Sequence, residues 1–326
     1  LLKAFSQWGA DCIPKLNGMF AFAIFKKSIG KLWLVRDRAG VKPLYYSLKN
    51  DCLIFSSELK TFLQADLVSR DLDYEALSDY FGKGYVSQPR SIIRDVKKLS
   101  AGHVLEFDLT NSTFELNQYW DVNKLYAKPK LLKSRQTILS ETEDLLISAC
   151  NLRLVSDVPV GIFLSGGYDS SVVAGILQRY SAQPLKTFTI GFHDKNYDES
   201  RFADHIANHL GAEHHTYMCN INDAKNIIPI IPDIWDEPIS DKSIIPTYLV
   251  CQFASRHVKV AISADGGDEL FAGYTKYLTA KTLFEKLEYV PFKETLFKVL
   301  NRSLPFLARR FRFVRLSSLS YFVNIL

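Results

Sequence analysis

Ser165-Gly166-Gly167-Tyr168-Asp169-Ser170 decides the fold of the second half of this chain. The stretch follows an apolar run at 160–164 and precedes a helix-like run at 171–177. A strand, a glycine turn and a helix in this order bind phosphate, because glycine lets backbone N–H groups approach an anion and the helix N-terminus carries partial positive charge. The loop has no Walker lysine, and an aspartate beside phosphates indicates an intervening magnesium ion. The sequence therefore predicts a phosphate site unlike that of kinases or GTPases.

A second glycine turn follows another predicted strand, at 258–262. Ser263-Ala264-Asp265-Gly266-Gly267-Asp268-Glu269 comes directly after this strand and carries three carboxylates. In an open parallel sheet, ligands bind beyond the carboxyl ends of the strands, so we expect the two turns to face one crevice. Asp169 and Asp268 would then share the magnesium ion of a bound triphosphate. A solvated acidic turn that opens a helix is the alternative interpretation of the second turn taken alone.

The overall composition is that of an ordinary globular protein with more than one domain. The chain has 326 residues, of which 47% are apolar, and no stretch approaches the length of a membrane span. The cysteines form no CxxC pair, so neither a disulfide framework nor a zinc knuckle is predicted, and we expect a cytoplasmic protein. They are Cys12, Cys52, Cys150, Cys219 and Cys251.

The net charge of +5 is concentrated at one end of the chain. Residues 291–326 contain seven Lys or Arg and one Glu, a balance of +6, so the remainder of the chain is near −1. This distribution excludes a general basic face, and we expect no nucleic-acid partner and no membrane. A contact of the basic, phenylalanine-containing stretch with RNA or a membrane surface is the alternative, whereas a further helical region is the preferred interpretation.

The pattern of elements divides the chain in two. Short aromatic and β-branched runs over 16–58 predict an antiparallel β-meander, and a last hairpin is predicted over 104–116. Beyond 136, predicted strands alternate with helices, which is typical of a doubly wound parallel sheet. We therefore predict a first domain over 1–118, a basic linker over 119–135 and a second domain over 136–326.

Three stretches give the chain a family resemblance: SGGYDS at 165–170, SADGGDELFAGY at 263–274 and RDRAGVKPLYY at 36–46. Together they resemble glutamine-hydrolysing asparagine synthetase over nearly the whole chain. The resemblance implies an α+β N-terminal domain, part of an Ntn-hydrolase (class II glutamine amidotransferase) sandwich. It further implies an α/β PP-loop adenine-nucleotide alpha-hydrolase-like domain with a parallel sheet.

The activity that the resemblance implies is ATP-dependent conversion of aspartate to asparagine through an aspartyl-adenylate. ATP and Mg²⁺ are the implied cofactors, glutamine hydrolysis supplies the ammonia, and a homodimer is compatible with the family. Asp265 matches an acidic residue of the adenylation chemistry, Asp169 and Asp268 match magnesium ligands, and Asp37 matches an aspartate that holds the amino group of glutamine. The implied nucleotide-binding residues are Phe163, Leu164, Ser165, Gly166, Gly167, Asp169, Ser170, Ile190, Ser263 and Ala264.

The chain departs from the family pattern at several places. The family's glutaminase nucleophile is a cysteine that begins the mature protein, whereas this chain begins with Leu1; the internal Cys12 is interpreted as structural. The C-terminal helical region with its late catalytic lysine has no match, so we expect this chain by itself to be inactive. Lys242 and Ala264 stand where many relatives have arginine and glycine. Another acceptor carboxylate (of a sugar, a peptide or a β-lactam precursor) or a non-catalytic nucleotide-binding protein therefore remains an alternative.

Overall fold

The computed structural model describes residues 1–49 and 51–288, which form two compact units. The first unit comprises Leu1–Leu132 and Pro229–Asp241, and the second comprises Lys133–Ile228 and the described residues from Lys242 onward. The basic stretch at 291–326 lies outside the described residues. The domain limits at 118 and 136 stay a prediction.

Helices and strands have the following bounds within these ranges. The α-helices are α1 (Leu2–Trp8), α2 (Lys60–Gln64), α3 (Tyr74–Lys83), α4 (Val122–Tyr126), α5 (Arg135–Leu154), α6 (Tyr168–Tyr180), α7 (Ser200–Leu210), α8 (Ile221–Ile227), α9 (Ile231–Ile234), α10 (Ile244–Ala254), α11 (Gly267–Phe271) and α12 (Thr275–Glu288). The strands are β1 (Ala21–Lys26), β2 (Lys31–Arg36), β3 (Tyr45–Lys49), β4 (Cys52–Ser56), β5 (Lys97–Lys98), β6 (His103–Asp108), β7 (Thr113–Gln118), β8 (Val160–Phe163), β9 (Lys186–Phe192), β10 (Glu213–Cys219) and β11 (Val260–Ile262).

The first unit contains two antiparallel sheets. One has the strand order β1-β2-β6-β7 and the other β4-β3-β5. The predicted meander over 16–58 is therefore wrong, because β2 pairs with β6 and the hairpin of β3 and β4 belongs to the other sheet. Leu34 and Leu105, on paired strands of the first sheet, are fully buried together with Tyr46 of the second, so they share one apolar core.

The chain leaves the first sheet through a loop that folds around Arg36 and Asp37. The Arg36 guanidinium donates to the carbonyl oxygens of Gly40, Lys42 and Leu99 at 2.7–2.9 Å. Gly40 has φ 66°, a left-handed conformation that glycine adopts without strain. These contacts direct the chain from β2 into the second sheet. The one to Leu99 joins residues 63 positions apart, so a strand-by-strand reading of the sequence does not reveal it.

A short stretch late in the sequence, Pro229–Asp241, folds with the first unit. The Asp236 carboxylate accepts the backbone N–H of Leu59 at 2.5 Å, next to the start of α2. Glu237 accepts the N–H of Ile92 at 2.9 Å and forms an ion pair with Lys98 at 2.5 Å. Both carboxylates are largely buried, so this stretch is part of the first unit's structure.

The second unit contains a four-stranded parallel sheet with the order β10-β9-β8-β11. The predicted parallel sheet is confirmed. The strand Glu213–Cys219 was not predicted, because its sequence EHHTYMC lacks the apolar run of a buried strand. Its place at an edge of the sheet explains the polar composition, since an edge strand has less apolar surface to cover.

The order of these strands creates a crevice. The first strand of the unit, β8, lies between β9 and β11: the chain continues from β8 to β9 and β10 on one side and then crosses back to β11 on the other. In such sheets the loops at the carboxyl ends of the two diverging strands separate and leave room for a ligand. Ile162 on β8 and Phe188 on β9 are fully buried and anchor the sheet below this point. The loops 164–167 and 263–266 follow the diverging strands.

Candidate nucleotide-binding site

A cavity of about 530 Å³ lies at these carboxyl ends, within the second unit. It brings together most of the residues that the sequence assigns to the nucleotide, the magnesium ion and the acidic chemistry. Gly166 and Gly167 form the turn itself and do not line the cavity. The predicted site residues that line it are Phe163, Leu164, Ser165, Asp169, Ser170, Ile190, Ser263, Ala264, Asp265 and Asp268.

The first loop is held by its own hydroxyl groups and by close packing of a glycine. Ser165 and Ser170 have their hydroxyl oxygens 3.0 Å apart, and the Ser170 hydroxyl accepts the N–H of Ser165 at 3.2 Å. Gly166 has φ 79°, and a Cβ there would overlap the backbone of Phe202 and Ala203 at the start of α7. The loop therefore requires glycine at this position for both conformation and space.

The N-terminus of α6 is open towards an anion. Gly167 is its N-cap residue, and no side chain caps the helix. The first N–H groups of a helix have no intrahelical partner, and the helix dipole adds partial positive charge at this end. The end of this 13-residue helix thus offers the backbone donors that a phosphate group accepts.

The two loops meet at Asp169 and Gly267. A Cβ on Gly267 would overlap the Asp169 carboxylate, so that carboxylate from the first loop lies directly against the backbone of the second. Asp268 is the next residue, and its carboxylate lies against Gly273 in the same way. Both carboxylates therefore line the same cavity, at the crevice that the sequence predicts.

Neither carboxylate has a hydrogen bond or an ion pair within the described part of the chain, and the described residues contain no group of three or more His, Cys, Asp or Glu suited to a metal ion. Mg²⁺ is usually bound by one or two carboxylates together with substrate phosphates and water. Two unpaired carboxylates beside an anion-binding helix end fit that donor set. Asp169 and Asp268 are thus suited to hold Mg²⁺ together with a bound triphosphate.

Asp265 is oriented by a neighbour in its own loop. The Ser263 hydroxyl donates to Asp265 Oδ2 at 2.8 Å, which leaves Oδ1 towards other partners. Gly266, with φ 95°, then turns the chain into α11. The predicted acidic residue is therefore oriented within the second loop by a side-chain hydrogen bond.

Several cavity residues were not predicted as site residues. Tyr274 donates to Glu269 Oε1 at 3.0 Å; this hydrogen bond, with burial and the charge of Glu269, raises the pKa of Tyr274 to about 12. The pair lies in the quoted stretch SADGGDELFAGY, so proximity in sequence could have indicated it. Tyr197, just before α7, and Thr247, on α10, also line the cavity.

Asp37 lies in the first unit and has a different environment. It is 1% exposed, and its two oxygens accept four backbone N–H groups at 3.0–3.2 Å. The donors are Phe20, Ala39, Val41 and Lys42. An ionised carboxylate has about four lone-pair sites, so the loop saturates this one. The geometry assigns Asp37 to holding the loop after β2, and its contact with glutamine stays a prediction.

Comparison with known proteins places the chain in a family. The profile of the family described as asparagine synthase matches residues 141–321, more than half of the chain, and the profile described as glutamine amidotransferase domain matches residues 1–120. The chain belongs to the asparagine synthase family. The region that matches the glutamine amidotransferase profile lies within the first unit. The region that matches the asparagine synthase profile contains all the residues that line the cavity.

Curated relatives agree with this assignment. A putative glutamine-hydrolysing asparagine synthetase 2 of Methanocaldococcus jannaschii is 39% identical over 284 residues, covering 85% of this chain and 54% of the relative. Asparagine synthetase 1 (glutamine-hydrolysing) of Bacillus subtilis is 35% identical over 296 residues, covering 88% and 45%. The chain thus spans about half the length of these relatives.

Among solved structures, an NH₃-dependent NAD synthetase from Campylobacter jejuni matches 44% of this chain and 61% of its own, with 17% identity and a TM-score of 0.29. A likeness at this level carries no argument about this chain. Within the described residues, no helix combines the length and the apolar character that crossing a bilayer requires.

Proposed function

We propose that the protein converts aspartate to asparagine with ATP, through an aspartyl-adenylate, using ammonia released from glutamine. The observation that carries this proposal is the cavity of the second unit. It combines an uncapped helix N-terminus, two unpaired carboxylates and one oriented carboxylate at the ends of β8 and β11. Family membership of both units supports the pairing of an amide-forming site with a glutaminase.

In this proposal, the loop at 165–170 binds the leaving pyrophosphate. Adenylation breaks the bond between the α- and β-phosphates, so the developing charge needs fixed donors more than a covalent nucleophile. The open N–H groups at the start of α6 and the Ser165 hydroxyl supply those donors. Mg²⁺, when held by Asp169 and Asp268, neutralises the phosphate charge. The adenosine lies against Phe163 and Ile190, which line the apolar part of the cavity.

The second loop serves the nitrogen transfer. Asp265 Oδ2 is engaged by Ser263, so Oδ1 is the atom that orients the incoming ammonia or accepts its proton. Tyr274 donates its one hydroxyl proton to Glu269, which raises the pKa of Tyr274 to about 12 and orients the Glu269 carboxylate beside the same loop. The two antiparallel sheets of the first unit support its assignment as part of an Ntn-hydrolase glutaminase.

The experiment that tests the proposal measures exchange of labelled pyrophosphate into ATP, with the protein at its full natural length. We expect exchange that requires aspartate and Mg²⁺, and that falls at least about 100-fold in Asp169→Asn, because fixed charge at the transferred phosphates supplies several kcal/mol. Asp157→Asn is the matched control, since Asp157 is exposed and does not line the cavity. Exchange that needs no aspartate, or that Asp169→Asn leaves intact, would contradict the proposal.

The acceptor is tested separately. Glutamate, sugar acids, peptides with a free carboxylate and β-amino acids replace aspartate in the same assay, because Ala264 lines the cavity where the resemblance expects glycine. Stimulation by one of these acids alone would keep the ATP chemistry and change the acceptor. ATP binding without exchange for any acid would favour the non-catalytic alternative.

A further inference from the structure

The nucleotide cavity of the second unit has more carboxylates than the proposed function uses. No lysine, arginine or histidine of the described chain lines it, so the side-chain charge around it is wholly acidic. The carboxylates that line the cavity are those of Asp169, Glu199, Asp265, Asp268 and Glu269. Mg²⁺ binding and nitrogen transfer account for the three aspartates. Glu199 and Glu269 therefore have no assigned ligand.

Glu269 is held in place by its neighbours at the second loop. It is the third residue of α11, and the Tyr274 hydroxyl, beyond the end of that helix, donates to Glu269 Oε1 at 3.0 Å. The turn between the two residues is closed by the backbone N–H of Gly273, which donates to the carbonyl oxygen of Asp268 at 2.9 Å. The Glu269 carboxylate is therefore oriented by a hydrogen bond across a closed turn.

The other oxygen of Glu269 is open to a ligand. Within the described part of the chain, Oε2 accepts no hydrogen bond and the carboxylate forms no ion pair. Glu199, at the start of α7, lacks comparable support, because its side chain makes no capping hydrogen bond. A group that is oriented before its ligand arrives loses less conformational entropy on binding. Of the two unassigned carboxylates, Glu269 is thus the better prepared for recognition.

The proposed reactants offer one organic cation to such a carboxylate. ATP and pyrophosphate are anions, the attacking ammonia is neutral, and Mg²⁺ has Asp169 and Asp268. The acceptor amino acid carries an α-ammonium group, which has three donors and no acceptor and pairs with a carboxylate. Asp265, which serves the nitrogen transfer, belongs to the same loop as Glu269 and lines the same cavity. An acceptor whose reacting carboxyl group lies near Asp265 extends its ammonium group towards Glu269.

We propose that Glu269, positioned by Tyr274, binds the α-ammonium group of the acceptor and selects an amino acid over an acid that lacks this group. The inference rests on the proposed function, because it concerns the acceptor of the same cavity. A site that pairs with a substrate N–H group rejects an analogue without it, since the polar group of the site then loses its partner. (S)-Malate is such an analogue, because it has a hydroxyl group where aspartate has the ammonium group.

Calorimetric titration measures acceptor binding without turnover. It uses the protein at its full natural length, Mg²⁺ and an ATP analogue with a methylene group between the α- and β-phosphates. The unaltered protein should bind aspartate at least about tenfold more tightly than (S)-malate, because only aspartate offers a charged donor. Glu269→Gln should remove most of this preference by weakening aspartate binding, with malate binding nearly unchanged. Glu143→Gln, on the exposed side of α5 and away from the cavity, is the matched control and should keep the full preference.

Tyr274→Phe tests the positioning role. It keeps the ring and removes the hydroxyl group that orients Glu269, so we expect aspartate affinity to fall about threefold. The double variant Glu269→Gln/Tyr274→Phe should bind aspartate as Glu269→Gln alone does, because the tyrosine acts through the glutamate. A further loss in the double variant would show that Tyr274 acts independently and would overturn its positioning role.

Three results would overturn the assignment of Glu269. The first is an equal loss for aspartate and malate in Glu269→Gln, the second is loss of the preference in Glu199→Gln instead. The third is an altered Mg²⁺ dependence of Glu269→Gln with the preference intact, which would assign the residue to the metal ion.

Pyrophosphate exchange with the same preparations separates this inference from the proposed function. Aspartate-dependent exchange in the unaltered protein, together with an unchanged preference for aspartate over malate in Glu269→Gln, contradicts the ammonium contact alone. Absence of aspartate-dependent exchange in the unaltered protein contradicts the proposed function, and the inference then fails with it.

Discussion

Asp37 of the first unit and the pair Asp169 and Asp268 of the second are all aspartates in glycine-containing turns, yet their surroundings are opposite. The Asp37 carboxylate accepts four backbone N–H groups and is almost completely buried. The other two carboxylates line a cavity and have no hydrogen bond or ion pair among the described residues. Similar residues in similar motifs therefore divide into one that stabilises a loop and two that are open to a ligand.

Hydrogen-bond pairing distinguishes a carboxylate that stabilises the fold from one that is available to a ligand. Burying a charge without partners costs free energy, so a fully paired carboxylate stabilises the fold in which it lies. A carboxylate that lines a cavity without a protein partner is instead available to a cation. Substitutions should therefore act on stability at Asp37 and on ligand binding at Asp169 and Asp268.

Replacing Asp37 gives the largest expected effect. Asp37→Ala leaves four backbone N–H groups without their acceptor, and each such group costs about 1–3 kcal/mol when it stays buried. With partial relaxation, we expect a loss of about 3–5 kcal/mol in the free energy of unfolding, measured by urea denaturation. Asp11→Ala, at an exposed position of the same unit, is the control. Equal free energies of unfolding for Asp37→Ala and Asp11→Ala would contradict the conclusion that Asp37 stabilises the loop.

Replacing Asp268 should weaken ligand binding and leave stability nearly unchanged, which is the opposite of the effect expected at Asp37. Asp268→Asn keeps the shape of the side chain and halves the charge of the pair, so we expect at least about tenfold weaker Mg²⁺-dependent ATP binding. The free energy of unfolding should stay within about 0.5 kcal/mol of the original value. Calorimetric titration and urea denaturation measure the two quantities, with Asp157→Asn as control. A large loss of stability without a change in binding would contradict the distinction.

Gly273 tests the position of Asp268 without altering its charge. A Cβ on residue 273 would overlap the Asp268 carboxylate, so Gly273→Ala must displace that side chain. We expect about three- to tenfold weaker Mg²⁺-dependent ATP binding, a smaller effect than that of Asp268→Asn. Gly175→Ala is the control, because its nearest neighbour is Leu210 at 3.9 Å, an ordinary contact. Identical Mg²⁺ titrations of the two variants would show that Asp268 acts from another position.

Tyr274 gives the smallest expected effect. Its pKa is raised from 10.0 to about 12, so the folded protein holds this proton more tightly than the unfolded chain does. The resulting stabilisation is complete below pH 10 and is lost as the pH rises towards 12. We expect Tyr274→Phe to remove one late-titrating tyrosine from the ultraviolet absorbance titration and to flatten the fall of stability in this window. An unchanged titration curve would contradict the hydrogen bond from Tyr274 to Glu269 that raises the pKa of the tyrosine.

The parts of the structure that the sequence predicts are those with a local cause. The loops at Ser165 and Ser263 each follow an apolar strand and contain glycines with left-handed φ angles, so pattern alone locates both. The meeting of Asp169 with Gly267 follows from the rule that ligand loops lie at the carboxyl ends of parallel strands.

The parts that the sequence does not predict depend on partners distant along the chain. The division of strands between two sheets rests on tertiary pairing of β2 with β6, and the polar strand β10 is recognisable only from its place at the sheet edge. Asp37 shows the same limit for function: its motif indicates a ligand contact, whereas its hydrogen bonds are visible only in the folded loop.

The membership of Pro229–Asp241 in the first unit has a consequence for synthesis on the ribosome. Asp236 and Glu237 hold the start of α2 and the backbone near Ile92, yet they are translated more than a hundred residues later. Domains generally fold as units during translation, starting from the N-terminus. This first unit cannot reach its final set of contacts until residue 241 has left the exit tunnel, by which time most of the second unit's sheet has already emerged. The first unit therefore completes its folding only after much of the second unit has been synthesised, and residues 1–132 produced alone would lack a part of their own structure.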